Sequence, residues 1–272
     1  MRRSWFNSGW PALCLAGAAW LCALPARAQT EVDLALVIAV DISYSMDPEE
    51  QQLQREGFIQ AFRSQEVQAA IGRGVLGRIG VAYVEWAGAA DQRVILPWTM
   101  IDGPQAALAF AASLAQQPTR RASRTSISGA IDFAARLLAE GDFQASRRVV
   151  DISGDGPNNQ GRPVILARDE ALAGGVTING LPLMLKTSGV FDIPDLAGYY
   201  RACVIGGTGA FLVPVRSRDQ FVEAVKTKII MEIAERPVPA PLRESLVVPA
   251  RQSGPPADCL VGERQWRERM GD

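Results

Sequence analysis

The feature that most constrains the fold is an unbroken apolar run from Leu34 to Val40. A strand that is apolar at every position is typical of burial on both faces, as in the centre of a parallel sheet. Short apolar runs alternate with longer amphipathic stretches along the chain. This repeated strand–helix order predicts a three-layer, Rossmann-like α/β fold with a mainly parallel sheet, one antiparallel edge strand and helices on both faces.

The apolar pattern predicts strands at residues 34–40, 79–86, 93–98, 148–152, 176–183 and 210–215. It predicts helices at residues 48–71, 104–114, 126–139, 163–173, 194–201 and 218–234, with the first of them broken near Ser64. A turn at residues 88–91 predicts that the second and third strands form a hairpin, which supplies the antiparallel edge strand.

The chain has 272 residues and contains no His. Ser-His-Asp and Cys-His catalytic groups are therefore excluded, as are His-based zinc and iron sites. Any metal site in this protein must be built mainly from oxygen ligands.

The amino terminus has the pattern of a secretory signal peptide. Arg2 and Arg3 precede an apolar stretch that ends in Ala-Arg-Ala at residues 26–28, so cleavage is expected before Gln29. The alternative, a membrane anchor, needs a longer apolar segment. We predict a signal peptide at 1–28, one domain at 29–236 and a Pro-rich tail at 237–272. The mature protein would be periplasmic or secreted, with no stable membrane anchor.

Cleavage would leave 25 basic and 29 acidic residues, a net charge of −4. An acidic exported protein is a poor candidate for nucleic-acid binding. Cleavage would also leave two cysteines, Cys203 and Cys259, which are expected to form a disulfide in an oxidising compartment and to pin the tail to the domain. The alternative is two separate buried thiols.

Three loops at predicted strand ends or helix starts carry oxygen ligands. Asp41, Ser43 and Ser45 follow the central strand, Thr125 precedes a helix, and Asp155 follows the strand at 148–152. Ligands of open α/β sheets bind at the carboxyl ends of the strands. Two carboxylates and three hydroxyls suit a hard cation, Mg²⁺ first and Mn²⁺ next.

Each of these residues also has an ordinary structural interpretation. Ser43 and Ser45 could cap the helix that begins near Pro48, and Thr125 could cap its own helix. Asp155 and the following Gly could form a turn. The joint occurrence of all five residues favours metal binding over these separate roles.

With these loops in this order, the chain resembles the von Willebrand factor A (VWA) domain family. The metal-ion-dependent adhesion site (MIDAS) of that family combines an Asp-x-Ser-x-Ser loop with a distant Thr and a distant Asp. Asp41, Ser43, Ser45, Thr125 and Asp155 fill these places, and the resemblance covers about residues 32–234. More narrowly, the chain resembles an uncharacterised family of exported bacterial VWA-like proteins, a domain of unknown function.

The resemblance implies a role for each of the five residues. Ser43 and Ser45 would bind the metal directly, Thr125 directly or through water, and the two Asp largely through water. It also implies that the strands before Asp41 and Asp155 lie side by side, and that a Glu or Asp of a protein partner takes the open metal position. A difference from many family members is that Arg124, rather than Gly, precedes Thr125.

Arg120, Arg121 and Arg124 lie just before Thr125. Their charges could steer an acidic ligand toward the metal, or they could form an ordinary solvated loop surface.

Three functions are consistent with this sequence. The first is an exported VWA-like module that binds an acidic group of a protein partner through Mg²⁺, in adhesion or assembly. The second is a Mg²⁺-dependent hydrolase acting on a phosphorylated or acidic substrate, and the third is a metal-free structural interaction module. The sequence contains no evident pair of nucleophile and base, so we expect a binding protein rather than an enzyme.

Overall fold

The computed structural model describes residues 29–185, 193–234, 248–249 and 257–270. The predicted signal peptide lies outside the described residues, as does most of the Pro-rich segment between 237 and 256. Within the described ranges, none of the helices is long and apolar enough to cross a membrane.

The described strands form one sheet in the order β3-β2-β1-β4-β5-β6-β7. Their bounds are β1 Thr30–Asp41, β2 Ile79–Trp86, β3 Gln92–Ile101, β4 Phe143–Gly154, β5 Val176–Pro182, β6 Phe211–Leu212 and β7 Val248–Pro249. The neighbouring pairs β2–β1, β1–β4, β4–β5 and β5–β6 are parallel. Strand β3 pairs antiparallel with β2. The predicted parallel sheet with an antiparallel edge strand is confirmed, and β7 adds a two-residue antiparallel strand at the other edge.

The described helices are α1 Pro48–Arg63, α2 Gln65–Gly72, α3 Pro104–Ala115, α4 Ile127–Glu140, α5 Val164–Ala173, α6 Leu196–Tyr199, α7 Phe221–Ile233 and α8 Val261–Met270. The predicted break near Ser64 is confirmed, because the Ser64 hydroxyl accepts a hydrogen bond from the Val67 amide and begins a new helix. The predicted helix at 194–201 is shorter than expected, and a π-helical turn from Tyr200 to Val204 follows it.

Strand β1 is buried on both faces, as its continuous apolar sequence predicts. Leu34 and Leu36 pack into the core beneath α1, α2, α3 and α7, whereas Ala35 and Val37 pack into the core beneath α4 and α5. Because successive side chains of a strand point to opposite faces, this alternation fixes three layers.

Strands β1 and β4 lie side by side, with Val40 opposite Ser153. Strand β2 lies on one side of this pair and β5 on the other, so the chain leaves β1 and β4 in opposite directions across the sheet. This is the topological switch point at which open α/β sheets bind ligands. The loops after Asp41 and Gly154 therefore meet at one edge.

The disulfide between Cys203 and Cys259 is formed, and it joins the end of the chain to the π-helical turn after α6. The sequence predicted a Pro-rich tail pinned in this way, but it did not predict α8. The large apolar residues of that helix are Val261, Trp266 and Met270. It therefore lacks the wide apolar stripe by which amphipathic helices are recognised.

Candidate metal centre

The loop after β1 is held in place by hydrogen bonds from its backbone amides. The amide of Ser43 donates a hydrogen bond to Asp41 Oδ1 at 2.7 Å, and the amide of Ile42 donates to the carbonyl of Trp86 at 2.9 Å. The Asp41 side chain is fully buried, and its Oδ2 accepts no hydrogen bond from the described residues. A buried carboxylate oxygen without a donor is costly unless a cation compensates it.

A chain of hydroxyls connects this loop to the loop after β4. The hydroxyls of Ser43 and Ser45 lie 2.7 Å apart, and Ser45 Oγ donates to Asp155 Oδ1 at 2.6 Å. A Cβ placed on Gly154 would stand 2.9 Å from Asp41 Oδ2. The structure thus brings Asp41, Ser43, Ser45 and Asp155 together at the edge between β1 and β4.

Thr125 reaches the same place through backbone contacts of its loop. The amide of Ala122 donates to the carbonyl of Ile42 at 3.0 Å, which ties this loop to the one after β1. The Thr125 amide donates to Asn159 Oδ1 at 2.9 Å, and its carbonyl accepts from the Asn159 amide at 2.8 Å. The side chain of Thr125 is buried and lines the same small cleft as Ser45.

The helix caps near the site are provided by other residues. Asp47 caps α1 in a reciprocal box with Glu50, and Ser126 caps α4 by accepting a hydrogen bond from the Gly129 amide at 3.1 Å. The alternative that the hydroxyls of Ser43, Ser45 or Thr125 act as helix caps is therefore wrong. Ser43 and Thr125 are buried and Ser45 is hydrogen-bonded to Asp155, so the position of these hydroxyls beside two carboxylates calls for another role.

The electrostatics of the cluster favour a bound cation. Burial, and after it the negative charge of Asp155, raises the pKa of Asp41 well above its ordinary value. A divalent cation would relieve both effects, since it replaces lost solvation and separates the two carboxylates. The described residues contain no group of three or more Cys, Asp or Glu that could hold a metal, and this cluster combines two carboxylates with hydroxyls.

Two of the three predicted steering arginines form ion pairs or hydrogen bonds within the domain. Arg120 forms an ion pair with Asp91 at 2.6 Å. The guanidinium of Arg121 donates to the carbonyls of Tyr44 and Met46, within the loop that follows β1. These contacts hold the rim of the site, and the steering role stays a prediction.

Arg124 has a left-handed backbone with φ of 74°, alone among the non-glycine residues of the described ranges. This conformation favours glycine, so an Arg at this position carries backbone strain. The Arg124 guanidinium lies 3.5 Å from the ring centre of Trp266 on α8. A stacked cation–π contact of this kind offsets part of the backbone strain.

Tyr200 is a further residue of the site that sequence reasoning missed. Its ring is fully buried. A Cβ placed on Gly154 would stand 2.9 Å from the Tyr200 hydroxyl and 2.9 Å from Asp41 Oδ2, so both groups border the same point. Burial and the negative charge of Asp41 raise the pKa of the Tyr200 phenol well above its ordinary value, so it stays neutral. The sequence carries no local signal for this role, because Tyr200 is brought to the site by the π-helical turn.

The strand order, the three layers and the position of the cluster define a VWA-like domain. Structures with this fold include proximal thread matrix protein 1 from the mussel byssus, with a TM-score of 0.54 and 14% identity over 75% of this chain and 49% of that one. The pilus adhesin SpaC from Lactobacillus rhamnosus GG has a TM-score of 0.57 and 10% identity, covering 75% of this chain and 31% of that one. A von Willebrand factor type A protein from Catenulispora acidiphila has a TM-score of 0.50 and 14% identity, covering 74% of this chain and 43% of that one. The chain spans less than half the length of each of these proteins.

The chain belongs to the family described as "Protein of unknown function (DUF1194)", which matches residues 31–237. A search of curated proteins found no match. One structure of the mussel thread protein is described as having a zinc-occupied MIDAS motif.

Proposed function

We propose that this protein is an exported binding module that holds Mg²⁺ at the edge between β1 and β4 and binds an acidic group of a protein partner through it. The observation that carries the proposal is the connected cluster of Ser43, Ser45 and Asp155 beside the buried, unpartnered Asp41 Oδ2. Thr125 completes the set of oxygen ligands. Adhesion or assembly in the periplasm or outside the cell is the role that such a module would serve.

The donor set favours Mg²⁺, with Mn²⁺ as the alternative. All five side chains offer oxygen, and the chain has no His to supply nitrogen. The zinc in the MIDAS of the mussel thread protein supports a divalent cation in this place on the fold. For an oxygen-only site we expect Mg²⁺ to be the resident ion.

The charges of the cluster favour an acidic ligand. Asp41 and Asp155 together balance the charge of one divalent cation, while the hydroxyls of Ser43, Ser45 and Thr125 add no charge. A cation held mainly by neutral hydroxyls keeps a strong attraction for an additional anion. A Glu or Asp side chain of a partner provides that anion.

Isothermal titration of Mg²⁺ and Mn²⁺ into EDTA-treated protein tests the metal site. We expect saturable one-to-one binding, lost in Asp41→Ala and retained in Asp169→Asn, a control on an exposed carboxylate of α5. Absence of binding in the wild type, with and without a carboxylate such as acetate, would contradict the proposal.

A pull-down in Mg²⁺ and in EDTA then tests the partner. A partner retained only with Mg²⁺, and lost in Asp41→Ala, supports the binding module. Turnover of a phosphorylated substrate that disappears in Asp155→Ala would instead support the hydrolase. Partner binding that survives both EDTA and Asp41→Ala would support the metal-free module.

A further inference from the structure

The carboxyl-terminal helix α8 borders the candidate metal site. A narrow cleft of about 40 Å³ is lined by Ser45 and Thr125 together with Gln265 and Trp266 of α8. The remaining lining residues are Gly156, Pro157, Asn159 and Gly262. This helix therefore forms part of the wall of the cleft that Ser45 and Thr125 line.

Helix α8 is attached to the domain beside this cleft by close contacts. Glu263 Oε1 accepts a hydrogen bond from Asn158 Nδ2 at 2.8 Å, and Asn158 is itself fully buried, with its Oδ1 accepting from the Ser128 amide. A Cβ on Gly262 would stand only 2.1 Å from the carbonyl oxygen of Asn158. The helix backbone thus packs directly against the loop that follows Asp155.

Two further contacts fix the position of α8. The disulfide from Cys259 to Cys203 holds the helix start, and Arg124 stacks on the ring of Trp266 near the middle of the helix. Arg124 directly precedes the candidate ligand Thr125. A helix held by a covalent bond, a partly buried hydrogen bond and an aromatic contact is a fixed wall rather than a loosely attached tail.

We propose that this wall selects the shape of the partner, so that the metal accepts an acidic side chain from a thin, extended segment and not from a flat or helical surface. This inference rests on the proposed function. A helix with side chains is about 10 Å across, so α8 obstructs a broad surface that approaches the metal. A carboxylate on an extended loop or chain terminus can enter beside Trp266.

Two synthetic peptides test this inference on the Mg²⁺-loaded full chain. One is a flexible Gly-rich peptide with a single central Glu, and the other presents the same Glu on a stapled α-helix. We expect the wild type to bind the flexible peptide about tenfold or more tightly than the helical one. Trp266→Ala should reduce that preference to about threefold or less, because it removes the largest side chain that α8 contributes to the cleft.

Glu268→Ala, an exposed substitution on the same helix, is the matched control and should keep the preference. Cys259→Ser provides a second route, since it releases the start of α8 without changing a residue that lines the cleft. It should lower the preference in the same direction as Trp266→Ala.

Three outcomes would overturn the inference. One is equal affinity of the wild type for both peptides, and another is an unchanged preference in both Trp266→Ala and Cys259→Ser. The third is tighter binding of the flexible peptide in those variants, which would identify α8 as a lid that blocks the site. Mg²⁺ titration of the wild type and of each variant separates these results from failure of the metal site. Failure of the metal site would appear as absence of Mg²⁺ binding in the wild type.

Discussion

The hydroxyl of Ser45 donates a hydrogen bond to Asp155 Oδ1 at 2.6 Å, although 110 positions separate the two residues in sequence. The contact exists because β1 and β4 are neighbours in the sheet and their carboxyl ends meet. This hydrogen bond joins the two acidic loops of the candidate site within the protein itself. The site is therefore assembled by the strand order.

Asp41→Asn should abolish stabilisation by Mg²⁺ without destabilising the metal-free protein. Asn keeps an oxygen that can accept from the Ser43 amide, and it removes a buried negative charge beside Asp155. Thermal unfolding with EDTA and with Mg²⁺ measures both effects. We expect a melting temperature in EDTA at or above that of the wild type, and no increase on adding Mg²⁺. A clearly lower value in EDTA would contradict this account of the cluster.

The buried pair of Asp151 and Lys228 predicts pH-dependent stability. Lys228 Nζ lies 2.7 Å from Asp151 Oδ1 and also pairs with Glu232, whose other oxygen accepts from Asn179. Burial raises the pKa of Asp151 to about 7, against the opposing effect of Lys228. Between pH about 4 and about 7, the Asp151 carboxyl therefore keeps its proton in the folded state and loses it in the unfolded state. The free energy of unfolding should fall as pH rises through this range.

Urea unfolding in EDTA at several pH values checks this sign. The contribution of Asp151 should have a slope of at most about 1.4 kcal/mol per pH unit, and Asp151→Asn should remove it. Asp102→Asn, on an exposed carboxylate after β3, should leave the wild-type slope unchanged. A slope that is the same in Asp151→Asn and in the wild type would refute the assignment.

Lys228→Met should be strongly destabilising at neutral pH. It removes the cation between two fully buried carboxylates, Asp151 and Glu232, and breaking a buried pair in this way costs about 3–5 kcal/mol. Lys226→Met, two positions away, breaks only more exposed pairs with Glu223 and Glu66 and should cost less than about 1 kcal/mol. Similar free energies of unfolding for the two variants would mean that the buried network contributes little.

Gly262→Ala should displace α8 and leave the sheet intact. The added methyl would collide with the carbonyl oxygen of Asn158, which belongs to the backbone and cannot move aside as a side chain could. We expect faster proteolysis after residue 256 and a change in the fluorescence of Trp266, with an unchanged core. Gly103→Ala, where a Cβ would meet nothing within 4 Å, is the control. Proteolysis equal to that of the wild type would show that α8 tolerates the change.

Much of the fold follows from local patterns in the sequence. The apolar run from Leu34 to Val40 predicts a central buried strand, and β1 is buried on both faces because it offers apolar side chains at odd and even positions alike. The sequence also indicates the candidate ligands, because polar side chains that directly follow buried strands lie at the sheet edge where ligands bind. Export stays a prediction, since the signal peptide lies outside the described residues.

The sequence by itself determined the order of strands and helices as far as α7, the oxygen-only chemistry and the five candidate ligands, since these depend on residue type and on spacing within one element or loop. Only the tertiary structure decided that Tyr200 lies beside Asp41 and that Trp266 borders the cleft. It also decided that Lys228 is enclosed by two carboxylates. These relationships join segments far apart in sequence, and they arise from packing and from the disulfide, which leave no local periodicity to read.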